Sequence, residues 1–300
     1  MARQYNANRA PVGRVEIVGF SPEVSEDDGS KSALFVHVTE EASIHYAKGE
    51  ATGVTTERKF GNNPDVGTTF ETIWTGGGRY QYPTAGQTVT ISSGSVTDTA
   101  GSSGASLVRV FGLRTSAWTE FSTTITMSGQ TAATAATDVW RINRMIVIAT
   151  SGATVTNAGV GNNGIIYCGY GTVTTGVPAN VLSRIEVGEN QTEQAVYSVP
   201  GGKTFFINEC YASVGAGKTA TLELRVRSDG RKSWTPFQDK FGSLLYQGIL
   251  ERDFDVPVIA QPYSDVELEG KFAQAGGAIY GGFQGILFSG VSFPATGGGG

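Results

Sequence analysis

The chain has 300 residues and a formal net charge of -5, long enough for two ordinary domains with cores of their own. Charged residues make up 16% and glycine takes 42 positions, against roughly 25% charged and ~7% glycine in average soluble proteins. That balance describes a turn-rich all-β protein with a Thr, Ser, Asn and Gly surface suited to packing against other protein, and the net negative charge argues against wholesale binding to nucleic acid, which needs a basic stripe to displace counterions.

Residues 1–13, with Arg3 and Arg9 in a polar run broken by Pro11 and Gly13, read as an extended arm. RVEIVGF (14–20), SALFVHV (32–38) and ASIHYAK (42–48) read as three strands, forming a small sheet or the first strands of a sandwich. From Gly49 to Thr84 turn signals dominate, as in GNNPDVG, and Phe60, Phe70, Trp74, Tyr80 and Tyr82 anchor a segment expected to be an irregular, packed connector. Period-2 alternation marks TVTISS (88–93), LVRVFGL (107–113), FSTTITMS (121–128), RINRMIVIAT (141–150) and GIIYCGY (164–170). A second β unit is expected from about Val177-Pro178, through LSRIEV, QAVYSV, TFFINECYASV, TATLELRVRS, ERDFDVPVIA, SDVELEG and AIYGGFQGILF. KFGSLLYQGIL (240–250) is the one helix candidate, and SFPATGGGG at the end is a flexible tail.

ASVGAGKT (212–219) has the lettering of a phosphate-binding loop. That chemistry needs a helix after the lysine, whereas TATLELRVRS alternates Leu222, Leu224 and Val226 with Glu223, Arg225 and Arg227. GAGK is therefore expected to be a hairpin tip, and PGGKT (200–204) another turn before a strand. His37 and His45 are the two histidines, both in expected strands and far from Cys168 and Cys210, so neither a catalytic triad nor a zinc site is legible. Both cysteines read as small buried thiols. Glu251, Asp253 and Asp255 lack a partner across a cleft for glycoside cleavage. SEDDG and NNPDVG lack calcium-loop spacing, and SDGRKSW (228–234) reads as a solvated hairpin tip with a packing Trp234, the alternative being an indole beside Arg231 and Lys232 that stacks on a sugar or base. No apolar run reaches the ~18 residues of a membrane span, and MARQYNANRAPVG lacks the apolar core of a secretion signal.

The runs FGNNPDVGTTFETIWTGGGRYQYPT, TVTISSGSVTDTAGSSGASLVRVFGLRTSAWTEFSTTITMSGQT, RINRMIVIATSG and GENQTEQAVYSVPGGKTFFINECYASVG resemble tailed-bacteriophage virion structural proteins over roughly residues 60 to 290. The resemblance implies a non-enzymatic structural role without cofactor, in which a capsid decoration (cement) protein binds the major capsid protein and itself as dimer or trimer. A tail or fibre component contacting the host is the alternative. It implies a location on the capsid surface after assembly in the host cytoplasm. The residues expected at the capsid are Arg3, Arg9, Phe60, Asn62, Asn63 and Trp74. The expected architecture is all-β: an arm (1–13), N-terminal strands and connector (14–84), a first jelly-roll-like β-sandwich (85–177), a second (178–290) and the tail (291–300).

Overall fold

The computed structural model describes residues 15–16, 37–38, 42–150, 161–274 and 276–290. The arm with Arg3 and Arg9, the SEDDG loop and the Gly-rich tail lie outside them. The chain forms two compact units, Met1–Thr56 and Glu57–Gly300.

In the N-terminal unit, β1 (Val15–Glu16) pairs antiparallel with β2 (His37–Val38), Val15 opposite Val38. ASIHYA is not the third strand expected from its alternation. It is the helix α1 (Ala42–Ala47), continued by the bonds from Lys48 N to Ile44 O (2.9 Å) and from Glu50 N to His45 O (3.0 Å). With no partner strand among the described residues, the segment bonds its backbone within itself.

Strand β3 (Val54–Val66), in the second unit from Glu57 onward, runs 13 residues through the stretch expected to be irregular. The Gly and Asn residues that suggested turns have other duties. A Cβ on Gly61 would lie 2.0 Å from Ile73 O and 2.5 Å from Ala195 N, so glycine here permits a close backbone approach. Asn63 is buried, with Nδ2 donating to Thr72 O at 3.1 Å and Oδ1 accepting from Asp65 N at 3.2 Å. Pro64 is tolerated because β3 ends its sheet.

After β4 (Glu71–Thr72) come β5 (Gln87–Ser93), β6 (Ala105–Arg114), β7 (Thr119–Thr126), β8 (Ala133–Thr150), β9 (Ile166–Thr174) and β10 (Val177–Ile185). The last six form one sheet in the order β10-β9-β5-β8-β6-β7. Val89, Ile91, Val108, Val110, Ile142, Met145, Cys168 and Leu182 share one buried cluster, so the sheet curls around its own core. Because β10 pairs with β9 from Val177 onward, the first sheet extends to Ile185, past the expected break at 177/178.

The remaining strands are β11 (Val196–Ser198), β12 (Lys203–Arg227), β13 (Gln238–Ala260), β14 (Asp265–Phe272) and β15 (Gly277–Ser289). Here β12 is the organiser. Its first half pairs with β15 (Lys203–Val214 against Ser289–Ile279) and its second half with β14 (Ala220–Arg227 against Phe272–Asp265). Along both halves β13 runs antiparallel on its other edge, through to Val226 opposite Gln238. Phe205, Ile207, Cys210 and Val214 of the first half share a core with Leu222, Leu224 and Val226 of the second, so the ribbon folds over on itself and makes both layers of a sandwich.

GAGK sits at that fold. It is not the hairpin tip expected: four residues bulge between Val214 and Thr219 while the partner strand advances from Gly248 to Tyr246, and Gly217 takes φ +70°. The true hairpin turn is at 228–237, in SDGRKSWTPF. Beyond Lys218 the chain continues as strand, so the helix N-terminus that phosphate binding needs is missing from this segment. KFGSLLYQGIL is part of β13 and not a helix. An irregularity at Gln247-Gly248, both with positive φ, shifts the strand's alternation there.

Candidate functional site

Charged side chains collect at two places between the sheets. The first is closed. Successive acidic positions on β14, Asp265, Glu267 and Glu269, face one way while Val266 and Leu268 enter the sandwich core. Arg227 lies opposite Asp265 and Arg225 opposite Glu267 on β12. From β8, Arg141 reaches the same carboxylate as Arg227: Nε donates to Asp265 Oδ1 at 2.8 Å and a terminal nitrogen to Oδ2 at 2.9 Å. Its remaining donors go to Pro83 O (2.9 Å), Trp140 O (2.7 Å) and Gly230 O (2.7 Å). Trp118 and Tyr82 lie over the guanidinium at 4.6 and 5.1 Å. Ser198 Oγ also donates to Asp265, and Arg227 Nε donates to Oδ2 at 3.0 Å.

Burial alone would raise the Asp265 pKa, but Arg141 and then Arg227 reverse that and hold the carboxyl below its usual range. Glu269 is the weaker member. Burial, helped by neighbouring Glu267 and only partly opposed by Arg225 at 2.7 Å, pushes it up to about 7. This joint fixes one sheet against the other and, with Arg141 and Asp265 fully engaged, offers nothing to a ligand.

The second place is open. A cleft of about 480 Å³ is lined by Glu57, Arg58 and Lys59 of β3, by Glu120, Phe121 and Ser122 of β7, and by Asn143 and Arg144 of β8 with Tyr197 at its base. A neighbouring cleft of about 220 Å³ shares Arg58, Lys59 and Arg144 and adds Phe60, Thr192 and Gln194. Alternation on β3 points Glu57 and Lys59 inward on the face that carries Gly61, while Arg58 lines the cleft from an exposed position with Nε donating to Gln284 Oε1 at 2.6 Å. Lys59 is only 7% exposed; its Nζ donates to Asn143 O and stands 5.5 Å from the Tyr197 ring. Burial lowers its pKa to about 8, with Arg144 adding to the shift and Glu57 opposing it. Glu57 is raised, first by burial and further by Glu120, against the pull of Lys59. Glu120 is already paired with Lys203 at 2.6 Å. The cleft is thus lined by three cations, Arg58, Lys59 and Arg144, and by two carboxyls, Glu57 and Glu120.

The residues expected at a capsid surface divide. Phe60 is half-buried and lines the smaller cleft. Asn62 is half-buried and hydrogen-bonds Glu193. Asn63 and Trp74 are interior and leave the list: Trp74 is 6% exposed, donates Nε1 to Gly77 O at 2.9 Å and packs edge-on against Tyr80 at 5.2 Å. Arg3 and Arg9 lie outside the described residues. Cys168 and Cys210 are free and buried, and burial pushes the Cys210 thiol up to about 12. No group of three His, Cys, Asp or Glu among the described residues could hold a metal ion.

One surface was missed in the sequence. Among the described residues β13 pairs with β12 on one edge alone, and it exposes Leu244 (68%), Tyr246 (70%), Ile249 (72%) and Val256 (81%). A strand edge carrying exposed apolar side chains is a template for another chain. In sequence, 240–250 reads as a helix candidate and 251–260 as a strand, which does not join Leu244, Tyr246, Ile249 and Val256 into one strand.

No protein-family model matches the chain, and no curated protein does. Among solved structures, the chain is similar to "Structure of infectious bursal disease virus Gx strain" at 10% identity over 80% of this chain and 73% of that one, with a TM-score of 0.23. It is also similar to "The 2.6A structure of Infectious Bursal Virus Derived T=1 Particles" (12% identity, 81% and 71%, TM-score 0.22). A third is "Crystal structure of infectious bursal disease virus VP2 subviral particle" (11%, 79% and 72%, TM-score 0.20). At these values the likeness carries nothing about function.

Proposed function

We propose that this chain is a non-enzymatic structural protein of a virion, a capsid decoration protein that binds the major capsid protein on the outer surface and associates with copies of itself. The observation that carries the reading is β13. A 23-residue strand left unpaired on one edge among the described residues, and studded with exposed Leu, Tyr, Ile and Val, is costly for a free monomer and useful in a shell, where neighbours cover it. The low-charge Thr, Ser and Gly surface supports the same reading, as does the sequence resemblance to tailed-phage virion proteins. Assembly in the host cytoplasm goes with it. The test is a triple Leu244→Ser, Tyr246→Ser, Ile249→Ser variant. It should keep the wild-type melting temperature, because these side chains touch water, yet lose self-association in light scattering and occupancy on purified capsids. Unchanged association and occupancy would defeat the reading.

A tail or fibre role is favoured by one feature, Trp234, which is 77% exposed in the β12–β13 turn beside Lys232. An exposed indole near a cation suits stacking on a sugar ring. Copy number separates the two: hundreds per particle mean shell, a dozen or fewer mean tail.

A further inference from the structure

We propose that the larger cleft is a docking site for an extended peptide strand that carries carboxylate side chains, supplied by another protein. Three features of the cleft lead there. The first is charge. Arg58, Lys59 and Arg144 all line it, and of its two carboxyls Glu120 is paired with Lys203 at 2.6 Å and Glu57 lies beside Lys59. On a chain with net charge -5 this cleft gathers cations, and an incoming carboxylate would favour the charged form of Lys59 while supplying acceptors to two guanidinium groups.

The second is backbone. β3 and β7 both line the cleft, and each is the end strand of its sheet, with no strand on its outer edge among the described residues. An end strand offers a row of free N–H and C=O groups to an added strand, and alternate side chains of that strand then point into the cleft. The third is the wall. Phe111, Phe121 and Tyr197 give apolar surface between the charges, which suits a peptide alternating acidic with apolar residues and not a small free anion.

The proposal stands apart from the virion reading, because it is tested on the purified chain. A capped seven-residue peptide alternating Glu and Val, labelled for fluorescence anisotropy, is expected to bind at low salt with Kd below about 1 mM. Its Lys-for-Glu counterpart should not bind. Arg144 and Arg58 are exposed, so Arg144→Gln and Arg58→Gln keep the fold and should each weaken the Glu peptide by about tenfold, the size expected of a charge-assisted bond. The same peptide N-methylated at alternate residues keeps every carboxylate but loses strand pairing, and should lose binding. Four results overturn the proposal: no binding of the Glu peptide, equal binding of the Lys peptide, undiminished binding in both Arg variants, or displacement of the peptide by free glutarate at equal concentration. Undiminished binding of the N-methylated peptide overturns the strand-pairing geometry.

Discussion

The Arg141 joint and the Lys59 cleft both send a cation from one sheet to acceptors on the other, Arg141 from β8 to β14 and Lys59 from β3 to a carbonyl of β8. In the joint, every nitrogen of the Arg141 guanidinium has an acceptor, and the Asp265 carboxylate has two arginines and a serine. In the cleft, a buried ammonium has one carbonyl, a like charge from Arg144 beside it, and a carboxyl neighbour that burial discourages from ionising. The same ingredients therefore yield opposite results. Compensated charge closes an interface and becomes structure; uncompensated charge keeps a cavity open and costs stability until something fills it.

The largest effect is expected at Arg141. Replacing it by Ala leaves the buried Asp265 carboxylate to Arg227 and Ser198 alone and orphans the carbonyls of Pro83 and Gly230, and chemical denaturation should show a loss of about 3 kcal/mol, while Arg144→Gln in the cleft should change stability by less than about 0.5 kcal/mol, as exposed substitutions do. Equal costs would erase the distinction.

Glu269 is the next lever. Its raised pKa means the folded state holds that proton more tightly than the unfolded chain, so its contribution to stability is present at low pH and is lost as pH rises through about 7. Thermal melts across pH 5 to 8 should fall more steeply for the wild type than for Glu269→Gln, and parallel curves would refute the assignment. Lys59 has the opposite sign. With a folded pKa of about 8, its contribution is present at high pH and lost as pH falls through 8; Lys59→Met should therefore melt higher than wild type at pH 6.5, with the gap narrowing by pH 10. The smallest effect belongs to Lys218→Ala. Its Nζ donates to Gly276 O at 2.8 Å on a half-buried corner, so about 1 kcal/mol or less is expected, with no change in nucleotide binding by calorimetry.

Much of the β architecture was legible because alternation is a local property. Ile91, Val108, Val110 and Ile142 were on the buried face that period 2 assigns them, and TATLELRVRS was enough to reject the phosphate loop. Asn63 and Trp74 were visible as residues with a task, but whether the task was contact or packing depended on what lay above them. Glu57 and Lys59 were passed over because they sit in a stretch punctuated by Gly61 and Asn62, which looked like turns. Nothing local tells a turn glycine from one that admits Ile73 and Ala195 to the backbone.

By itself the sequence determined the class: its glycine, its low charge and its repeated alternation leave little besides a β protein, and short-range periodicity suffices to say which faces are apolar. The tertiary structure alone decided that GAGK is a corner of one long ribbon, that KFGSLLYQGIL is an outer strand, and that Arg141 meets Asp265 across 124 positions of chain while Lys59 is left with a carbonyl. Pairing partners, bulges and the matching of buried charge are long-range properties, set by which distant strand arrives alongside, and no window of neighbouring residues contains them.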